Sequence, residues 1–390
     1  MNSEKIEARV SREVGSRLRR LREARGFSQH DLCERVTSFG FELTESSLSR
    51  MERGKAVLGT PTMSAIAICL GISLDEIDQI IQHANFSEDT DFTGKNYESL
   101  FKEGRRIARS GYLAKSLQIF NAAHDWLLIQ DPPAVDDHRL PDVLIWQGYL
   151  LARLRNFRLA TDRCLRVLNR KSSDVERKAN AMATLVLIGQ LSDDSFSARL
   201  YARELETLHG QLSPRVQART IAVTGNLHAE EGDFSSAVAC YERSLALYRC
   251  LGDCAEVARA LALLGYSLFR AGTRTCGAEL IAKAVAEAQK EGCEEVTGFG
   301  LRCLGITELL SDNYSRASSL IEDAALIARK LGDLGDEFEY RFHLWRHHKR
   351  ILKDPEFESR RLRRKLDALV KNLEPRIPEV RQYLVDLRCE

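Results

Sequence analysis

The sequence predicts an all-α chain: a five-helix N-terminal domain followed by a long α-solenoid. Three observations predict it. Proline is scarce, 8 in 390 residues, and no segment alternates apolar and polar residues for long enough to suggest a sheet. Residues 1–83 divide into short amphipathic stretches separated by helix-start and helix-stop residues. Between residues 218 and 330, small and apolar residues recur every 40 positions, the mark of stacked helical units.

Composition narrows the function. Hydrophobic residues make up 44% of the chain, enough for a sizeable core and too many for global disorder. The net charge of +1 points to no polyanionic or polycationic partner for the molecule as a whole. The 10 cysteines are scattered, and the start, MNSEKIEARVSREVG, is polar, so reduced cysteines in a cytoplasmic protein are expected. Cys250 and Cys254 bracket a turn, CLGDC, without a second pair at finger-like spacing, so no metal site is expected. Apolar runs such as AIAICLGISL are about half the ~20 residues that span a bilayer, so no membrane association is expected. No P-loop, HExxH, GxSxG or EF-hand pattern is present, and neither catalysis nor a cofactor is expected.

The expected organisation is a head at 1–83, a polar acidic linker at 84–96, helical repeats at 97–375, and a capping helix at 376–390. DPPAVDDHRLP, residues 131–141, reads as a loop within the repeats.

In the head, helix one is VGSRLRRLREARG, with Val14, Leu18 and Leu21 on one face. Gly26 supplies the left-handed stop. Ser28 caps helix two, SQHDLCERV, and Asp31 completes a box-like cap. After TSFGFEL, Thr44 caps helix three, TESSLSRMERG. Leu48 and Met51 anchor this helix, and the rest is short and polar, or Arg50. Such a helix buries a thin stripe and leaves a polar face to read with. Pro61 opens helix four, TPTMSAIAICLG. Ser73 and Glu76 form a capping box for helix five, SLDEIDQIIQHA.

In order and spacing, RLRRLREARGFSQHDL, SSLSRMERGK and LGISLDEI resemble the Cro/phage-repressor (XRE) type of helix-turn-helix domain. The turn TSFGFEL departs from the phage repressors by several extra residues. The resemblance implies double-stranded DNA as a partner and assigns roles. Gln29 matches a phosphate contact at the start of helix two. Glu45, Ser46 and Arg50 match base-reading positions. Arg50 carries the fork for a guanine, Glu45 can accept from a cytosine amine, and Ser46 is permissive. Ser47, Arg53 and Lys55 are placed for phosphates. Arg22 and Glu52 match a family ion pair tying helix one to helix three, which makes Glu52 structural.

Residues 1–80 carry 12 Lys and Arg against 12 Asp and Glu, so any electrostatic footprint is local. Eight of the basic residues lie in residues 1–25, against 4 acidic ones. A near-neutral head predicts modest non-specific affinity, with a homodimer supplying the rest.

In the repeats, Gly225, Gly265 and Gly305 are spaced by 40 residues, as are Ile221, Leu261 and Leu301, and Ala237, Gly277 and Ala317. Tyr241, Ile281 and Ile321 continue the pattern. TGNLHAEEGDFSSAVACYERSLALY and LGITELLSDNYSRASSLIEDA resemble tetratricopeptide repeats, lengthened from the usual period of about 34. The resemblance implies a superhelix with an inner face lined by the first helix of each pair. Arg219, Asn226, Glu230, Arg259, Tyr266, Arg270 and Arg302 are placed on that face. Asparagine can pair with both groups of a peptide bond, and arginine can clamp a carboxylate, so the face suits an extended peptide.

A repressor-like head ahead of such repeats resembles the peptide-pheromone-responsive (RRNPP-like) transcriptional regulators of Gram-positive bacteria. That resemblance implies a regulator whose repeats sense a short peptide and set the spacing of two heads. The alternative is a regulator or scaffold whose repeats dock a protein partner.

Overall fold

The computed structural model describes residues 3–388 apart from 57–58, 73–91, 93, 130–137, 172, 352–355 and 374–376. Nineteen α-helices and one short 3-10 turn account for the regular structure among the described residues, with no strand. They form two compact units, one of residues 1–104 and 117–143, the other of residues 105–116 and 144–390.

The first unit holds α1 (Ser3–Ala24), α2 (Gln29–Ser38), α3 (Glu45–Glu52) and α4 (Thr60–Leu70). Helix α1 starts at Ser3, eleven residues before the apolar stripe begins at Val14, because polar SEKIEARVSRE also favours helix. Val14, Leu18, Leu21, Leu32, Val36, Leu48, Met51, Ile66 and Leu70 form one buried core. Glycine at position 15 is dictated by closeness: a Cβ there would lie 2.2 Å from the Met51 carbonyl, so α1 and α3 meet backbone to backbone. Ser28 and Asp31 complete a reciprocal capping box on α2, and Thr44 caps α3 through the Ser47 amide. The fifth helix and its Ser73–Glu76 box lie outside the described residues, as does most of the 84–96 linker.

The same unit takes in parts of α5 (Tyr97–Arg109), α6 (Leu113–Ile129) and α7 (Arg139–Arg153). Tyr97 stacks on Phe101, which meets Phe120 edge-on. Buried Arg17 of α1 lies 3.7 Å from buried Asp125 of α6. The expected loop at 131–141 is corrected at its end, since α7 begins at Arg139. Leu140 and Val143 are buried, and the Arg139 guanidinium lies 5.1 Å from the Tyr97 ring centroid, which draws this stretch into helix. Pro141 sits in the first turn, where a missing N–H costs nothing.

The second unit continues through α8 (Phe157–Leu168), α9 (Val175–Leu191), α10 (Ser195–Leu208), α11 (Pro214–Glu230), α12 (Phe234–Leu251) and α13 (Cys254–Arg270). Then come α14 (Arg274–Lys290), α15 (Glu294–Leu309), α16 (Tyr314–Leu331), α17 (Leu334–Ile351), α18 (Glu356–Val370) and α19 (Pro378–Arg388). From α5 to α18 the helices follow as successive pairs, and α19 closes the series with Tyr383 packed against Phe338, Phe342 and Trp345. Ala237, Ala317, Tyr241, Ile281 and Ile321 are all buried, each facing its pair partner.

The 40-residue glycines mark where paired helices cross, but the three crossings differ. A Cβ on Gly265 would lie 2.7 Å from the Gly277 carbonyl oxygen, whereas one on Gly225 meets the Tyr241 ring at 2.9 Å and one on Gly305 meets Ile321 Cγ1 at 2.5 Å. Backbone cannot yield as a side chain can. Gly265→Ala is therefore expected to cost about 1–3 kcal/mol by overpacking, with Gly225→Ala and Gly305→Ala milder. Denaturant midpoints of the three variants check the ranking, and equal midpoints would contradict it.

Candidate functional site

Helix α3 buries Leu48, Met51 and Glu52 and turns Glu45, Ser46 and Arg50 to solvent. The Arg50 guanidinium has no hydrogen bond or ion pair to any described residue, so its fork is free to engage a ligand. Ser47 is tied into the helix cap, accepting a hydrogen bond from the Thr44 hydroxyl at 3.0 Å. Arg53 folds back on its own helix, donating to the Ser49 carbonyl at 3.2 Å, and Lys55 is exposed.

What holds α3 in place is a buried charge pair. Arg22 donates to Glu52 from Nε at 2.6 Å and from Nη2 at 3.0 Å, and its Nη1 donates to the Phe27 carbonyl at 2.7 Å. The two side chains are 8% and 3% exposed. The hydrogen bond to Glu52, then its charge, raise the Arg22 pKa against the opposing effect of burial. Gln29 Nε2 also donates to Glu52, at 2.8 Å. A primary amide has two hydrogens, so one remains for a phosphate.

The structure also places the seven inner-face residues, and six of them are already engaged. Arg219 donates to Asn180 and Thr184, each at 3.0 Å. Asn226 accepts from the Tyr241 hydroxyl at 2.7 Å, and Arg270 donates to Tyr266 at 2.9 Å. Arg259 is paired with Glu295 across to the next pair of helices, and Arg302 donates to Glu339 at 2.5 Å in the same way. Glu230 is exposed at the end of α11.

Two arginines that the sequence reading did not single out close this inner face. Arg153, ending α7, donates to Glu295 at 2.8 Å and Asp336 at 3.2 Å. Arg155, just beyond it, donates to Glu339 at 2.8 Å and Asp336 at 3.3 Å. These contacts span up to 184 residues of sequence, so an early turn of this unit is latched to its late turns. Partly buried Phe157 reinforces the latch by packing against the core of α16–α19. Burial disfavours the charge on Glu295, but Arg259 and Arg153 outweigh it and hold the carboxyl down to about 2. Burial and neighbouring Asp336 push Asp333 up.

Arg155 holds the latch in an uncommon backbone conformation, with φ +62°. The corresponding turns of other pairs use Gly232 and Gly272, at φ +82° and +104°, or Asp193 and Asp312, at +63° and +62°. Left-handed backbone costs a side-chain-bearing residue roughly 1–2 kcal/mol. The two carboxylates that Arg155 meets offset that cost.

Comparison with known proteins distinguishes the two parts. Residues 13–80 match a family model described as a helix-turn-helix domain. The N-terminal region is a helix-turn-helix domain. No curated protein matches the chain. A Rap protein solved with Competence and Sporulation Factor is 11% identical, over 94% of this chain and 99% of that one, with a TM-score of 0.54. The apo form of RapI is 13% identical over 71% of this chain and 99% of its own, with a TM-score of 0.51. PlcR of Bacillus thuringiensis, solved with a peptide and DNA, is 13% identical over 84% and 99%, with a TM-score of 0.45. At these identities the likeness is one of fold, a helical-repeat array of tetratricopeptide type.

Within the matched region, Arg22, Gln29 and Glu52 hold α3 in place. No group of three or more His, Cys, Asp or Glu among the described residues is arranged to hold a metal ion. No described helix is long and apolar enough to cross a membrane. One signal could have exposed the inner-face pairing: Arg259–Glu295 and Arg302–Glu339 lie 36 and 37 residues apart, close to one repeat. Nothing local to Arg153 and Arg155 marks their partners.

Proposed function

We propose that this protein is a sequence-specific DNA-binding transcriptional regulator whose repeats sense a short peptide and pair two heads. The observation that carries the DNA reading is the exposed Glu45, Ser46 and Arg50 face on an α3 whose opposite side is locked by Arg22 and Glu52. Arginine meets guanine bidentately in the major groove, so Arg50→Ala is expected to cost roughly 1–3 kcal/mol of specific binding. Titration of a duplex enriched from a random pool, at fixed salt, measures it. Unchanged affinity would remove α3 from the reading role.

The ligand reading is supported by the repeat fold shared with a Rap protein solved with Competence and Sporulation Factor bound. A ligand must bind one geometry of the repeats better than another, or nothing switches. The latch contacts of Arg153 and Arg155 would stabilise one geometry over another. A second reading has an observation of its own. Arg259 and Arg302 are already paired, so a peptide carboxylate would have to displace Glu295 or Glu339 to reach them, and Arg219 is held by Asn180 and Thr184. A protein partner docked outside the inner face needs no such exchange. Thermal shift with a peptide library favours the first reading, and stoichiometric recovery of a protein without any peptide shift favours the second.

A further inference from the structure

Between α2 and α3 lies an open groove of about 540 Å³ whose lining includes His30, Cys33, Glu34, Thr37, Thr44 and Glu45. At its edge, His30 Nδ1 lies 3.1 Å from a Glu45 oxygen and Nε2 lies 3.4 Å from a Glu34 oxygen. Both imidazole nitrogens thus face carboxylates. A neutral imidazole has one N–H and can donate to only one of them; an imidazolium donates to both. Glu34 and Asp31 face His30 from its own helix, Glu45 faces it from α3, and the buried Cys33 thiol lines the groove beside it.

Glu45 belongs to the face read as contacting DNA, so its neighbours lie on that face too. Two exposed carboxylates brought toward a phosphate backbone repel it, and His30 is the group between them able to cancel that charge. Histidine is also the side chain that changes charge nearest neutral pH. We propose that His30 takes up one proton from solvent as DNA docks, and in that form positions Glu45 with one carboxylate oxygen held and the other left to accept from a base. His30 is therefore a positioning residue, and DNA affinity is linked to pH. The proposal rests on the DNA-binding reading above.

The sign follows from linkage. DNA phosphates favour the charged imidazole, so the proton is taken up on binding. Binding is then strongest at low pH and weakens as pH rises, by at most about 10-fold per pH unit for one proton.

The test uses the full-length chain and a duplex enriched from a random pool at pH 6.5. Its Kd is measured from pH 6 to 8 at constant ionic strength, with calorimetry in phosphate and Tris to count protons. Wild type should weaken as pH rises and take up close to one proton. His30→Gln should bind weakly with a flat profile. His30→Lys should bind with a flat profile near the wild-type low-pH affinity. The side chain is 65% exposed, so both variants should keep the wild-type melting curve. A flat wild-type profile, or an unchanged slope in His30→Gln, overturns the proposal while leaving DNA binding intact. Failure to enrich any duplex overturns the DNA reading and this proposal together.

Discussion

Glu52→Ala should destabilise the helix-turn-helix domain by about 3–5 kcal/mol and abolish its DNA binding. The reason is asymmetric. The substitution removes three hydrogen bonds, two from Arg22 and one from Gln29, and leaves the buried Arg22 guanidinium with the Phe27 carbonyl and half-exposed Glu23, 3.6 Å away. An uncompensated buried charge costs far more than the intact pair contributes, and a small domain has only about 5–15 kcal/mol in total. Because the core of α11–α14 shares no residue with the core of α1–α4, the repeats should stay folded. Thermal melts followed by circular dichroism should show an early partial transition. A single transition at the wild-type temperature would show that the pair does not hold α3. Glu52→Gln keeps the shape and should fall between the two.

Glu339→Ala should have an effect of similar size, about 3–5 kcal/mol, in the second unit. Glu339 accepts from both Arg155 and Arg302, whose guanidinium groups it keeps charged against burial. Its removal also leaves Arg155 in a left-handed conformation with one carboxylate in place of two. The expected result is a lower denaturation midpoint together with a larger radius of gyration by small-angle scattering as the latch releases. A lower midpoint with unchanged dimensions would assign closure to Arg153 and the Phe157 packing instead. Acid should act on the same latch. Glu295, held down to about 2, stabilises the fold above its ordinary range near 4.3, and that contribution is lost as pH falls toward 2.

These two sites differ in how far they can be read from the sequence. Ser28 with Asp31, Thr44 ahead of α3, and the Leu48–Met51 stripe are local signals, and local signals translate directly into helix ends and buried faces. The repeats are legible for a similar reason, because Gly265 and Gly305 recur wherever two helix backbones cross. The latch is not legible, since it depends on the rotation accumulated over several helix pairs. No pattern around Arg153 identifies Glu295, 142 residues away, as its partner. The inner-face arginines show a subtler limit. Their positions follow from periodicity, but whether Arg259 and Arg302 are free or spent depends on a carboxylate one repeat away. His30 falls between these cases, since its partner Glu45 lies across an irregular turn whose course periodicity does not describe.

An open helical array can gain or lose a unit during evolution with little penalty, because each unit touches only its neighbours. The Arg153 and Arg155 contacts remove that freedom. Inserting or deleting one helix pair between α8 and α15 would carry Glu295, Asp336 and Glu339 out of reach. The latch therefore counts repeats: it fixes how many units separate its two halves, and relatives that keep these five residues should keep that number, with length variation confined to the turns.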